Sequence, residues 1–270
     1  MSDAGLELFL NRHSACVCVT IRQAKGSTPR EAGAIMLVAP TASWGTIGGG
    51  QLEFMAIDNA RRMLDGQGLG EMDIPLGPDI GQCCGGRTLL SFETVTPQMA
   101  ADLRARAAAE SAAFPGVMLF GAGHVGQALA RTLLPLPFAV TVVETRAEAL
   151  EGLPEGVKTH HVAMPEALVK NLAPGSAVLI LTHDHALDFL IAREALSRTD
   201  LPYVGMIGSA TKRATFRNWL ARETDGVLSA DRLILPIGGT TVRDKRPAVI
   251  AALVAAELLA VYASLPGASS

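Results

Sequence analysis

The chain lacks an excess of positive charge. Its 23 lysines and arginines face 26 aspartates and glutamates, a formal net charge of −3 over 270 residues. Nucleic-acid binders carry a basic footprint, so that class is set aside. Cysteine is scarce. Cys16, Cys18, Cys83 and Cys84 do not make a secreted disulfide framework at this length. No apolar stretch reaches spanning length without a charge, proline or glycine, and Glu257 interrupts the apolar C-terminal run. No membrane span is expected. The opening MSDAGLELFLNRHS has an amphipathic helical pattern, unlike the basic segment, apolar run and cleavage site of a leader. Repeats and long low-complexity tracts are missing as well. These absences together predict a cytoplasmic protein. Only 18% of residues are charged and 49% are hydrophobic, which leaves room for a large core or a buried oligomer surface. A homo-oligomer is expected.

What is present centres on residues 117–130, VMLFGAGHVGQALA. An apolar run of strand character enters a Gly-x-Gly-x-x-Gly turn, and a helical pattern leaves it. Gly121 permits the tight turn, Gly123 lets a phosphate approach the backbone, and Gly126 allows close helix–strand packing. His124 opens the helix, whose N-terminus offers free N–H groups to an anion. A second strand, 139–145, carries Glu144 about 20 residues on, the distance of a group that holds a ribose hydroxyl. The pattern predicts a Rossmann-type half. A glycine turn that binds nothing is the plainer alternative, since a fold does not imply a ligand.

The first half reads as mixed α+β. A short helix covers 6–12. The strand 15–21 alternates, with Cys16 and Cys18 on one face as small core residues. A turn-rich loop follows with Lys25, Ser27, Thr28 and Arg30. After a second strand come Gly48, Gly49 and Gly50, directly before a helix over 51–64. That position suits an anion, or else a flexible connector. Strands follow at 71–76 and 88–95. Between them lie Gln82, Cys83 and Cys84, flanked by glycines and close to Arg87. A guanidinium aimed at the sulfur would lower a thiol pKa. Two buried loop thiols are the other reading. No second Cys/His pair supports zinc.

The boundary is placed at Pro115–Gly116. The predicted fold class is α/β: an N-terminal mixed α+β domain over 1–96, a helical linker over 97–115, and a Rossmann-like doubly wound parallel-sheet domain over 116–270. Strands and helices alternate through the second domain. The strand 177–182 ends in Thr182-His183-Asp184-His185, where ligands of such sheets bind. His183 and His185 with Asp184 suit a metal only loosely, and Asp184 suits a helix cap better. Ser209 starts a helix over 210–222 whose first turn holds Lys212 and Arg213, where the helix dipole disfavours cations. A bound anion, a carboxylate such as Asp184 or Asp188, or plain solvation offsets them. The last helix, 248–265, is apolar almost all round and predicts full burial or a subunit contact.

Several of these motifs together resemble the XdhC/CoxI family. They are GSTPR at 26–30, GTIGGGQLE at 45–53, GQCCGG at 81–86, FGAGHVG at 120–126, THDH at 182–185, and IGS at 207–209 with Lys212-Arg213. The resemblance runs from near the N-terminus to about Gly238. It implies a chaperone that binds the molybdenum cofactor in its molybdopterin form. Such a protein holds the cofactor while a cysteine desulfurase supplies the terminal sulfur, then hands it to the molybdenum subunit of apo xanthine dehydrogenase. The residues implied at the cofactor are Ser27, Thr28, Arg30, Gly48, Gly49, Gly50, Gln82, Cys83, Cys84, Gly121, Gly123, His124, Gly126, Glu144, His183, Asp184, Ser209, Lys212 and Arg213. Cys83 and Cys84 stand as soft donors near molybdenum. The segment after the late Pro-Ile-Gly turn, GTTVRDKR at 239–246, departs from the family pattern. Glu144 stands where dinucleotide folds often have Asp, so an NAD(P)-dependent oxidoreductase is the alternative.

Overall fold

The computed structural model describes residues 3–77 and 85–265. The chain divides into two compact units, 1–110 and 111–270.

The first unit is built on a five-stranded antiparallel sheet. Its elements are α1 (Asp3–Arg12), β1 (Val17–Lys25), β2 (Ile35–Val38), β3 (Ser43–Gly45), α2 (Gly50–Leu64), β4 (Glu71–Pro75), β5 (Arg87–Thr94) and α3 (Pro97–Ala112), with strand order β3-β2-β1-β5-β4. The alternation of β1 puts Val17, Val19 and Ile21 into one cluster with Leu52, Ala56 and Ala60 of α2. Cys16 and Cys18 fall on the opposite face, with Leu6 and Phe9 of α1 and Leu37. Both thiols are buried, and burial pushes their pKa values up. They are core residues. The α3 helix lays Met99, Leu103 and Ala107 against the same cluster.

The second unit is a six-stranded parallel sheet. Its elements are β6 (Gly116–Phe120), α4 (His124–Leu133), β7 (Ala139–Glu144), β8 (Lys158–His161), β9 (Ala177–Ile180), α5 (His185–Leu196), β10 (Tyr203–Met206), α6 (Ala210–Glu223), β11 (Leu233–Ile234) and α7 (Pro247–Ala263). The strand order is β11-β10-β9-β6-β7-β8. Every pairing in it is parallel. Counted along the unit this is the 3-2-1-4-5-6 order of a doubly wound dinucleotide-type fold. Helices cover both faces. Leu129 and Leu133 of α4 and Val254 and Leu258 of α7 share one cluster with Leu119 and Leu179. Ile191 of α5 and Phe216 of α6 share the other with Phe120 and Ile180. The strand order reverses between β6 and β9, so the turns that follow these two strands flank the crevice where such sheets take ligands. The α7 helix is enclosed on one side only: Ala251, Val254 and Leu258 are buried, while Leu259 is exposed.

Candidate functional site

The turn after β6 is shaped by backbone crowding. Gly121 has φ 115°, and a Cβ there would lie 2.6 Å from the Leu181 carbonyl oxygen. A Cβ on Gly126 would overlap the Gly121 carbonyl oxygen. Both positions therefore require glycine if β6, α4 and the end of β9 are to meet. Gly123 differs. It lies in extended backbone at the cap of α4, and nothing stands within 4 Å of where its Cβ would be. The first intrahelical bond runs from the Gln127 N–H to the Gly123 carbonyl, 2.9 Å. The N–H groups of His124, Val125 and Gly126 precede it, and no side chain caps the helix. His124 is exposed at this end. Open backbone and uncapped donors together suit an anion.

Glu144 does other work than the ribose contact expected of it. Its Oε2 accepts the Ala122 N–H at 2.9 Å, locking the glycine turn to the end of β7. The N–H groups of Thr145 (2.9 Å) and Arg146 (3.2 Å), the Thr145 hydroxyl and the Arg146 Nε donate to Oε1, and the Arg146 Nη2 to Oε2. A carboxylate offers about four lone-pair sites, and these donors fill them. The residue is 4% exposed. Burial alone would push its carboxyl up. Arg146 and the three backbone N–H groups outweigh burial and hold it at about 2. Sequence reading missed Arg146, although a guanidinium two residues past a strand-end acid is a visible signal.

Across the crevice, the turn after β9 is held from within. Asp184 caps α5 by accepting the Ala186 N–H at 2.8 Å. His183 and His185 are exposed. Among the described residues no group of three His, Cys, Asp or Glu side chains is placed to hold a metal ion. Ser209 caps α6. The two cations of its first turn are compensated by protein groups. Lys212 Nζ pairs with Asp188 and donates to the Ile207 carbonyl at 3.0 Å, and Arg213 Nε donates to the Leu235 carbonyl at 2.7 Å. Asp188 is fully buried and also accepts the Thr182 hydroxyl at 2.6 Å. Of the offsets the sequence leaves open for Lys212, the carboxylate of Asp188 is the one present. Thr182, Asp188 and Lys212 form one buried network beneath the ends of β9 and β10.

In the first unit the glycine run before α2 is filled by its own helix. Glu53 Oε1 accepts the N–H groups of Ile47 (3.0 Å), Gly48 (3.3 Å) and Gly49 (2.9 Å), together with the Thr46 hydroxyl. Burial raises the Glu53 carboxyl, and these donors outweigh it, so its pKa is lowered. The phosphate seat read at Gly48, Gly49 and Gly50 is thus corrected for its first two members, whose donors already hold a carboxylate. The Gly48 backbone rests against the Pro29 ring, so closely that a Cβ would overlap it. Ser27 bridges Gly85. The loop bearing Ser27, Thr28 and Arg30 therefore gathers with the glycine turn and with Gly85, the residue after Cys84. Ser27 and Arg30 are exposed. Gln82, Cys83 and Cys84 lie outside the described residues. Arg87 makes a two-pronged pair with Asp73 at 2.7 and 2.8 Å, and the thiols beside it in the chain lie outside the described residues.

Comparison with known proteins follows these two units. Residues 117–258 match the family described as the XdhC Rossmann domain, and residues 9–73 match the XdhC and CoxI family. The chain is 27% identical over 260 residues to the uncharacterized protein YqeB of Escherichia coli (strain K12), a match covering 92% of this chain but only 43% of YqeB. A solved Bacillus halodurans protein described as a xanthine dehydrogenase superposes with a TM-score of 0.80 at 20% identity, covering 100% of this chain and 98% of that one. That likeness is one of fold. With a family match across more than half its length, the chain belongs to the XdhC and CoxI family.

Proposed function

We propose that this protein is an accessory factor in xanthine dehydrogenase maturation. It binds the molybdenum cofactor, holds it while a cysteine desulfurase supplies the terminal sulfur, and passes it to the apo molybdenum subunit. Membership of the XdhC and CoxI family, with family segments in both halves, carries this reading. The α4 turn supports it. Gly123 is open and the helix start is uncapped, which fits the phosphate of a molybdopterin. The Gly48–Gly49 turn does not fit that phosphate, because Glu53 fills it.

When bound, the cofactor supplies the molybdenum centre that the recipient enzyme needs. This chain's part is to bind and orient it. Within the second unit, the N–H groups of His124, Val125 and Gly126 would take a phosphate, and Glu144 keeps their turn in shape. Within the first unit, taken by itself, Cys83 and Cys84 are proposed as soft donors toward molybdenum. Ser27, Thr28 and Arg30 are proposed as further hydroxyl and guanidinium donors of that unit. A homo-oligomer belongs to the same proposal, supported by the apolar α7 helix with Leu259 exposed. The NAD form of the oxidoreductase alternative loses its ribose contact, since the Glu144 carboxylate is already saturated.

Gel filtration of the purified chain mixed with molybdenum cofactor tests the proposal. The cofactor should co-elute with protein, and Cys83→Ala or Cys84→Ala should weaken retention. Wild-type protein that elutes without cofactor rejects the reading.

A further inference from the structure

At the end of the second strand of a 3-2-1-4-5-6 sheet, a dinucleotide fold usually presents a bare carboxylate to a ribose diol. Here the polarity of that position is reversed. A diol binds by donating hydrogen bonds, and it needs open acceptor sites. Both oxygens of Glu144 are filled by neighbouring donors, and the group is buried. What faces solvent instead is Arg146, whose side chain is 42% exposed. Its Nε and Nη2 are fixed on Glu144 at 3.3 and 3.2 Å, which orients the guanidinium plane. Nη1 makes no hydrogen bond within the described residues. A guanidinium only donates, in a fixed fork that matches phosphoryl oxygens. It also sits at the glycine turn, because its Nη2 and the Ala122 N–H share one oxygen, Glu144 Oε2. Glu148, exposed on the 3-10 segment that follows, is near enough to act on Arg146 through its charge.

We infer that Arg146, and not Glu144, reads the guest at the end of β7, so that this unit selects a ligand presenting a phosphoryl group there over one presenting a ribose diol. The inference rests on the reading of the glycine turn as a ligand seat and adds the chemistry of its second contact. Arg146 is the specificity residue. Glu144 is a positioning residue for both the turn and the guanidinium.

Adenosine 2′,5′-bisphosphate and 5′-AMP separate the two chemistries, since they differ by a phosphoryl group against a hydroxyl on the same ribose. Calorimetric titration of the full chain at low salt should give the bisphosphate about ten-fold tighter binding or more, the scale of a charge-assisted contact. Arg146→Ala should remove the preference, Arg146→Lys should keep part of it, and Glu148→Gln should strengthen it. Melting curves of each variant show whether it is folded. Equal affinity for the two nucleotides in the wild type overturns the inference. So does preference for 5′-AMP, binding of neither, or a preference that survives Arg146→Ala. Cofactor retention on gel filtration is scored separately, so the maturation reading can stand when this inference fails, and the reverse.

Discussion

Replacing Glu144 by glutamine keeps the shape of the side chain and removes its charge. The native carboxyl titrates at about 2, against an ordinary 4.5. At about 1.4 kcal/mol for each tenfold step in proton affinity, that difference corresponds to about 3 kcal/mol. Arg146 is 42% exposed, so solvent screens part of the attraction, and about 2 kcal/mol is the working figure. Because the folded-state value is depressed, the contribution is whole above about pH 4.5. It declines as pH falls toward 2 and is lost below that. Glutamine must also turn an NH2 toward Ala122, Thr145 or Arg146, leaving a donor unpaired. Glu144→Gln should therefore lower the stability of the second unit by about 2 kcal/mol or more at pH 7, and the loss should shrink by about 1 kcal/mol on going to pH 3, where the cost of the unpaired donor remains. Trp219 packs against Phe189 and Phe216, with ring centres 5.4 and 5.9 Å away, and reports this unit once Trp44 is changed to Phe. Urea unfolding followed by Trp219 fluorescence at several pH values gives the two curves. A gap that stays constant from pH 7 to pH 3, or no gap at pH 7, refutes the account of Glu144 as the lock of the turn.

Four further outcomes follow from the same geometry. Gly123→Ala should cost about 1 kcal/mol or less, the difference between Gly and Ala at an N-cap with no clash in the open site, yet weaken cofactor retention. Gly126→Ala should cost about 2 kcal/mol or more despite its better helix propensity, because the new Cβ overlaps the Gly121 carbonyl; chemical denaturation compares the two. Asp188→Ala leaves Lys212 buried without its partner and should cost about 3–5 kcal/mol, whereas Asp188→Leu combined with Lys212→Met should cost clearly less. Equal losses in the single and double variants would show that the pair is not the strut of this turn. Glu53→Gln should loosen the Gly48–Gly49 turn, seen as faster hydrogen exchange at the Ile47, Gly48 and Gly49 amides.

Much of the architecture is local and therefore readable along the chain. The period-two pattern of residues 15–21 places Cys16 and Cys18 opposite Val17 and Val19, because successive side chains alternate across a strand. The glycines of 121–126 sit between an apolar run and a helical pattern, and each position has its own steric reason. Asp184 and Ser209 precede helices and cap them. What the sequence could not supply is which charge meets which. Glu53 and Glu144 look like available acids, and Gly48 and Gly49 like available donors. The fold brings acid and donor together and consumes both. Lys212 looks unpaired in its helix turn until α5 delivers Asp188 from 24 positions away in the chain. Patterning and turn chemistry are set by neighbours in the chain, so the amino-acid order determines the elements and their faces. Hydrogen-bond saturation is partly local, as at Glu53 and its turn, and partly set by residues that meet only after folding, as at Glu144 with Ala122 and Asp188 with Lys212. The tertiary structure alone decided that Glu144 meets the Ala122 N–H from 22 positions away and that Asp188 meets Lys212, so that an arginine, not an acid, faces outward at the end of β7.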